Sequence, residues 1–112
     1  MQSLAAIADP TRRKIVELLA VKDRTAGELV SEFDMTGPAI SQHLKVLREA
    51  GLVSVRAEGQ SRIQSLNPDG LQELDDWLSR TRAFWSRRLD ALERELRADD
   101  ARNAKKRKTE KA

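Results

Sequence analysis

A chain of 112 residues, 39% hydrophobic and 35% charged, is large enough for one modest core and too small for two independent ones. It contains no cysteine, which excludes a disulfide scaffold and any thiolate metal site and makes a reducing cytoplasm the expected compartment. It has no membrane-length apolar run and no signal-peptide pattern, and its charge of +3 arises at the C-terminus: residues 101–112 carry six of the 21 basic residues against one acid, leaving 15 basic and 17 acidic residues before them.

Residues 2–8 suit a short helix, with Leu4 and Ile7 on one side and alanines permitting close packing. Asp9-Pro10 then marks a boundary, because proline cannot continue a hydrogen-bond ladder but fits the first turn of the next helix, which Asp9 caps. That helix runs to about Val21 and packs through Ile15, Leu18 and Leu19. Arg12, Arg13 and Lys14 beside the stripe read more simply as a solvated helix end than as phosphate contacts.

Thr25-Ala-Gly-Glu28 matches a capping box, so a third helix starts here, with Leu29, Val30 and Phe33 on its inner face. Asp34 and Met35 alone separate Phe33 from Thr36, which caps a fourth helix. Pro38 is tolerated in its first turn, Met35 is placed to staple onto Ile40, and Gly51 occupies the usual left-handed stop. Ile40, Leu44 and Leu47 form one stripe, leaving Ala39, Ser41, Gln42, Lys45 and Arg48 pointing elsewhere. Two short helices joined by a tight turn, the second with a polar outer face, are the sequence form of a helix-turn-helix.

Leu52–Arg56 alternates at period two and reads as a strand with Val53 and Val55 on one face. Ala57–Gln60 contains Gly59 and makes a turn, and Ser61–Leu66 gives a second strand with Ile63 and Ser65 sharing a face. A hairpin after a recognition-type helix is a wing, with Arg56 and Arg62 flanking its tip, where they can meet phosphates or a minor groove.

Asn67-Pro68-Asp69 opens the last helix, expected to run to about Ala98. Leu71, Leu74, Leu78, Trp85, Leu89, Leu92 and Leu96, with Thr81 in the gap, step by three and four in a heptad seam with one stutter after Trp85. Trp77 and Phe84 widen it. The seam is longer than so small a core can cover, which calls for a partner, most economically a second copy of the chain. Beyond residue 98 no apolar side chain exceeds alanine, so residues 1–98 are expected to fold and 99–112 to form a disordered basic tail, either adding salt-sensitive affinity for DNA or only solubilising the end.

Catalytic and metal-site patterns are absent. His43 is the sole histidine, a poor basis for a metal site and more simply a structural or phosphate-contacting residue, and the carboxylates fall on exposed helix faces with no phosphate loop or nucleophile elbow nearby. No catalytic residue, metal or cofactor is expected, and the chain reads as a binding protein.

The runs LAAIADPTRRKIVELLA, TAGELVSEF and TGPAISQHLKVLREAGLV, followed by a wing with Gly59, closely resemble the ArsR-type winged helix-turn-helix transcriptional regulators over roughly residues 3–97. The resemblance implies a mostly α fold with a β-hairpin wing: four helices, two strands and a fifth helix. It further implies a homodimer through the first and last helices and a pseudo-palindromic double-stranded DNA operator released by an effector, here unknown. Carried over by position, the DNA contacts are Thr36, Pro38, Ala39, Ser41, Gln42 and Lys45, with Arg62 on the wing; Lys45 and Arg48 are the phosphate contacts. Gln42 is the base-reading candidate, since its amide can pair bidentately with an adenine edge. The dimer residues are Leu4, Ile7, Leu78, Trp85, Leu89 and Leu92.

The chain departs from metal-sensing members, which carry a cysteine pair before the turn or histidines and acids in the last helix. Here the first region reads GELVSEF and the last helix has no histidine, which places the chain with a non-metal-binding subgroup. Gln60 also stands where the family tends to have a basic residue. The reading is a dimeric, metal-independent repressor; the alternatives are a winged-helix module that binds protein, and a metal-responsive repressor using carboxylates and His43.

Overall fold

The computed structural model describes residues 2–110, with side chains through position 106. Along the chain come α1 (Gln2–Ile7), α2 (Pro10–Val21), β1 (Arg24–Thr25), α3 (Ala26–Val30), α4 (Gly37–Glu49), β2 (Val53–Glu58), β3 (Ser61–Leu66) and α5 (Pro68–Glu110). The helix starts follow their local chemistry. Asp9 accepts the Arg12 amide at 3.0 Å with Pro10 behind it, and Thr25 and Glu28 close the capping box on each other's backbone amides. α3 ends at Val30, earlier than its apolar pattern suggests, and Phe33 and Met35 pack from the turn instead, partly buried against the core.

The core joins α2, α3, α4 and the base of the wing. Ile15, Leu29, Ile40, Leu47 and Leu52 are fully buried and Leu19, Leu44 and Val53 nearly so, each contributing about 1.5–3 kcal/mol by leaving water. Those on α2 and α4 are the residues their helical spacing selects. Leu18 is only partly buried.

The wing departs from its sequence reading in two ways. The sheet has three strands, in the order β1-β3-β2, because Arg24 and Thr25 pair antiparallel with Gln64 and Ile63. Two residues leave too short a pattern to detect by alternation. The inward face of β3 also carries Gln64, 4% exposed, while Ile63 and Ser65 are half-buried. The cause is the pairing: only Gly59 and Gln60 separate the strands, so Glu58 opposes Ser61 and Val55 opposes Gln64, and a turn over residues 57–60 would set Gln64 opposite Val53 and leave it on the same face. Gly59 has φ 61°, as a type II′ turn requires at its first central position. With period-two side chains, the pairing places Gln64 and Leu66 on the face of Val53 and Val55.

α5 begins within the same compact unit, residues 1–75, where Leu71 and Leu74 are covered; residues 76–112 make a second unit. In that second unit the helix does not stop near Ala98 but continues through Glu110. No glycine or proline interrupts it there, alanine, arginine and lysine are good helix formers, and the pairs Glu93–Arg97 and Asp99–Arg102 bridge adjacent turns. Side chains from position 107, and positions 111 and 112 of the expected tail entirely, lie outside the described residues.

Candidate nucleic-acid interface

α4 is fixed at both ends by backbone chemistry. The Thr36 hydroxyl accepts the Ala39 amide at 3.3 Å, and Pro38 follows in the first turn. At the other end Gly51 has φ 79°, its amide donates to the Arg48 carbonyl at 3.0 Å, and the Leu52 amide donates to the Leu47 carbonyl at 2.9 Å. These two bonds make a Schellman motif, closed by the buried pair Leu47 and Leu52. The wing is then tied down where the Asn67 amide donates to the Leu52 carbonyl at 2.8 Å.

Between these stops, Ile40, Leu44 and Leu47 face inward, and Pro38, Ser41, Gln42, Lys45 and Arg48 are exposed on the opposite side. By helical geometry those five span about a third of the circumference. Ala39 is half-buried at the edge of this face, and Thr36 is exposed but spends its hydroxyl on the cap. Among the described residues, the side chains of Ser41, Gln42, Lys45 and Arg48 enter no hydrogen bond or ion pair within the chain. Arg62 is exposed and unpaired on the same terms, but on β3 near the wing tip, apart from the helix.

Arg56 is not equivalent to Arg62. Its Nη1 lies 2.8 Å from Asp23 Oδ2 and its Nη2 3.7 Å from Glu58 Oε2, so two acids already answer its charge. Glu58 is visible two positions along the strand, but nothing in the wing sequence marks the shorter contact, since Asp23 lies 33 positions away.

Two of the three basic residues at the start of α2 are engaged by other elements, Arg12 partly buried and Lys14 at the surface. The Arg12 side chain donates from Nε to the Ala6 carbonyl at 2.6 Å and places Nη1 3.4 Å from His43 Nδ1 on α4. Lys14 donates to the Glu32 carbonyl at 3.2 Å and stands 4.8 Å above the Phe33 ring, bracing the turn between α3 and α4. Arg13 and Lys14 are both exposed, as expected of a solvated helix end, but only Arg13 is without a partner on another element among the described residues. Both sets of contacts escape a reading by helical period, because the partners come from other elements.

The capping carboxylates respond electrically to their roles. Asp9 is held below its ordinary pKa chiefly by the Arg12 backbone N–H, assisted by the Arg12 charge, and Glu28 is lowered chiefly by the Thr25 backbone N–H and then its hydroxyl.

The residues singled out for pairing with a second copy are mostly uncovered. Leu4 is exposed at the edge of α1 while Ile7 is partly buried against the core. On α5, Leu78, Trp85, Leu89 and Leu92 are all exposed, Trp85 to 55% and Leu89 to 61%, with Phe84 edge-on to Trp85 at 5.9 Å.

Comparison with known proteins converges on one family. Residues 9–55 match the model described as bacterial regulatory protein, arsR family. The transcriptional repressor SdpR of Bacillus subtilis is 44% identical over 73 residues, covering 65% of this chain and 81% of that protein. The HTH-type transcriptional regulator Rv2034 of Mycobacterium tuberculosis is 48% identical over 84 residues, 75% of this chain and 76% of that protein. A crystal structure described as a possible transcriptional regulator for arsenical resistance superposes with a TM-score of 0.67 at 41% identity, covering 76% of this chain and 85% of that one.

Proposed function

This chain belongs to the arsR family of bacterial regulatory proteins, and from that footing we propose that it is a homodimeric, metal-independent repressor that reads a pseudo-palindromic operator through α4. It is a DNA-binding transcriptional regulator with a winged helix-turn-helix fold, and not an enzyme. The observation that carries the finer reading is the outer face of α4. Ser41, Gln42, Lys45 and Arg48 stand exposed with their polar groups unspent on a helix whose two ends are locked. Gln42 reads an adenine edge, Lys45 and Arg48 neutralise phosphates, and Thr36, Pro38 and Ala39 allow close approach at the helix start. Arg62 adds a wing contact.

A second copy covers the α5 seam together with Leu4 and Ile7 of α1, doubling the contacts and setting the half-site spacing. Residues 1–98 carry DNA binding and dimerisation, and the basic segment 99–112 adds sequence-independent, salt-sensitive attraction. Metal independence is supported by the setting of His43, whose Nδ1 lies 3.4 Å from the Arg12 guanidinium, a poor neighbour for a cation.

The test is binding to DNA fragments selected by the protein from its genome. Gln42→Ala is expected to relax discrimination at one base position by about 1–3 kcal/mol, and Lys45→Ala to weaken binding to all sequences and lower the salt slope by about one. Unchanged binding in both variants would remove the assignment of α4 as the reading helix, and release of DNA by zinc would remove metal independence.

A further inference from the structure

The sole histidine of the chain sits on the recognition helix, one position after Gln42, with its side chain 20% exposed. Its Nδ1 lies 3.4 Å from Arg12 Nη1 and 3.9 Å from Asp9 Oδ2. These two neighbours make opposite demands. A guanidinium is always protonated and only donates, so the nitrogen it meets must be a bare acceptor; a carboxylate favours a protonated ring. Distance decides between them, because 3.9 Å is beyond hydrogen-bond reach and the same Asp9 oxygen already accepts the Arg12 amide at 3.0 Å. Arg12 in turn is held by its Nε bond to the Ala6 carbonyl, at the end of α1. α1, of sequence QSLAAI, brings no ionisable side chain to compete.

We propose that Arg12 is a positioning residue for DNA binding: it holds His43 as the neutral Nε2–H tautomer, leaving the ring's one N–H, on the side away from Arg12, to donate to a DNA phosphate. This rests on the reading of α4 given above and adds two residues to it. A bare Nδ1 forces the proton onto Nε2, and the Arg12 bond fixes the ring's rotation, so the donor is preset before DNA arrives. The contact carries no sequence information. It sets the depth and roll of α4 in the groove on the flank beside Gln42, while Lys45 and Arg48 act on the other flank. The same guanidinium links the end of α1 to α4, so a shift of α1 is felt at the reading helix through one side chain.

Because there is one histidine, its ring nitrogens can be read by two-bond nitrogen–proton correlation in the intact protein without ambiguity. Near neutral pH the free protein is expected to show a protonated Nε2 and a bare Nδ1, and Arg12→Met, which has no donor, a mixture of the two tautomers. A proton on Nδ1 in the wild-type protein, or tautomers unchanged by Arg12→Met, overturns the positioning role. On adding a duplex selected from genomic fragments by the protein, the Nε2–H resonance is expected to move downfield and become protected from exchange. His43→Gln, whose amide can both accept from Arg12 and donate to phosphate, should bind within about threefold of wild type, and His43→Ala about tenfold or more weakly on every sequence. An Nε2–H signal indifferent to bound duplex overturns the phosphate contact. If no duplex binds, the DNA reading fails and this contact with it, but the tautomer is still read in the free protein, so the two failures are told apart.

Discussion

Gly70, in the first turn of α5, lies against the backbone of Gly51 at the end of α4, so closely that a Cβ at position 70 would overlap the Gly51 carbonyl oxygen and stand 3.3 Å from the Leu52 amide nitrogen. The left-handed stop of the recognition helix and the start of the last helix are thus in direct backbone contact, with Gly51 at φ 79°. A glycine within a helix ordinarily costs about 1 kcal/mol relative to alanine, so Gly70→Ala would stabilise on propensity alone. The overlap is with backbone, which cannot rotate away, and overpacking of this kind costs about 1–3 kcal/mol. Gly70→Ala is therefore expected to lower the urea midpoint, with a further loss of DNA affinity as the end of α4 shifts. A variant as stable as wild type would show that α5 can move off Gly51 freely.

The two wing arginines should separate in a salt titration. Arg62 is exposed and free of acids, whereas Arg56 is already bound to Asp23 and Glu58. Arg62→Ala is expected to weaken binding to all sequences alike and to lower the salt slope by about one, while Arg56→Ala leaves the slope nearly unchanged. Equal slopes in the two variants would show that DNA displaces the acids from Arg56.

Sedimentation of seam variants tests the dimer. Trp85→Asp or Leu89→Asp places a charge on a strip where both residues are more than half exposed in the single chain, so neither change should harm folding of the monomer. Each is expected to yield a monomer with operator affinity reduced by a hundredfold or, on the order of avidity gains, more. A variant that still sediments as a dimer would move the interface elsewhere.

Acid should act on two helix caps. Asp9 and Glu28 are depressed in the folded chain, chiefly by the Arg12 and Thr25 backbone amides that each accepts. A carboxyl with a lowered folded value contributes stability that is fully present above its ordinary value and is lost as pH falls through the folded one. Stability from these caps should therefore hold from neutrality down to the ordinary glutamate value of 4.5 and decline below it. Asp9→Asn and Glu28→Gln are expected to start lower at neutral pH and decline less steeply in acid, by thermal unfolding across that range. A decline as steep as that of the wild type would assign the acid sensitivity to other carboxylates.

What the sequence determined by itself is what is local. The caps at Asp9, Thr25 and Thr36, the stop at Gly51, the inner stripe of α4 and the seam of α5 depend on neighbours within a turn or two, and one-dimensional spacing encodes such neighbours. The structure alone decided what depends on partners far along the chain. Two residues at Arg24 and Thr25 become a strand only because β3 lies beside them, and Gln64 turns inward because its pairing with Val55 puts it on the apolar face of β2. Arg56 is answered by Asp23, Lys14 by the Glu32 carbonyl and Phe33 ring, and Arg12 by Ala6 and His43. A basic side chain reads the same in sequence whether it reaches solvent, phosphate or a carbonyl on another helix. Folding makes the choice, because packing fixes which acceptor lies within about 3 Å of each donor.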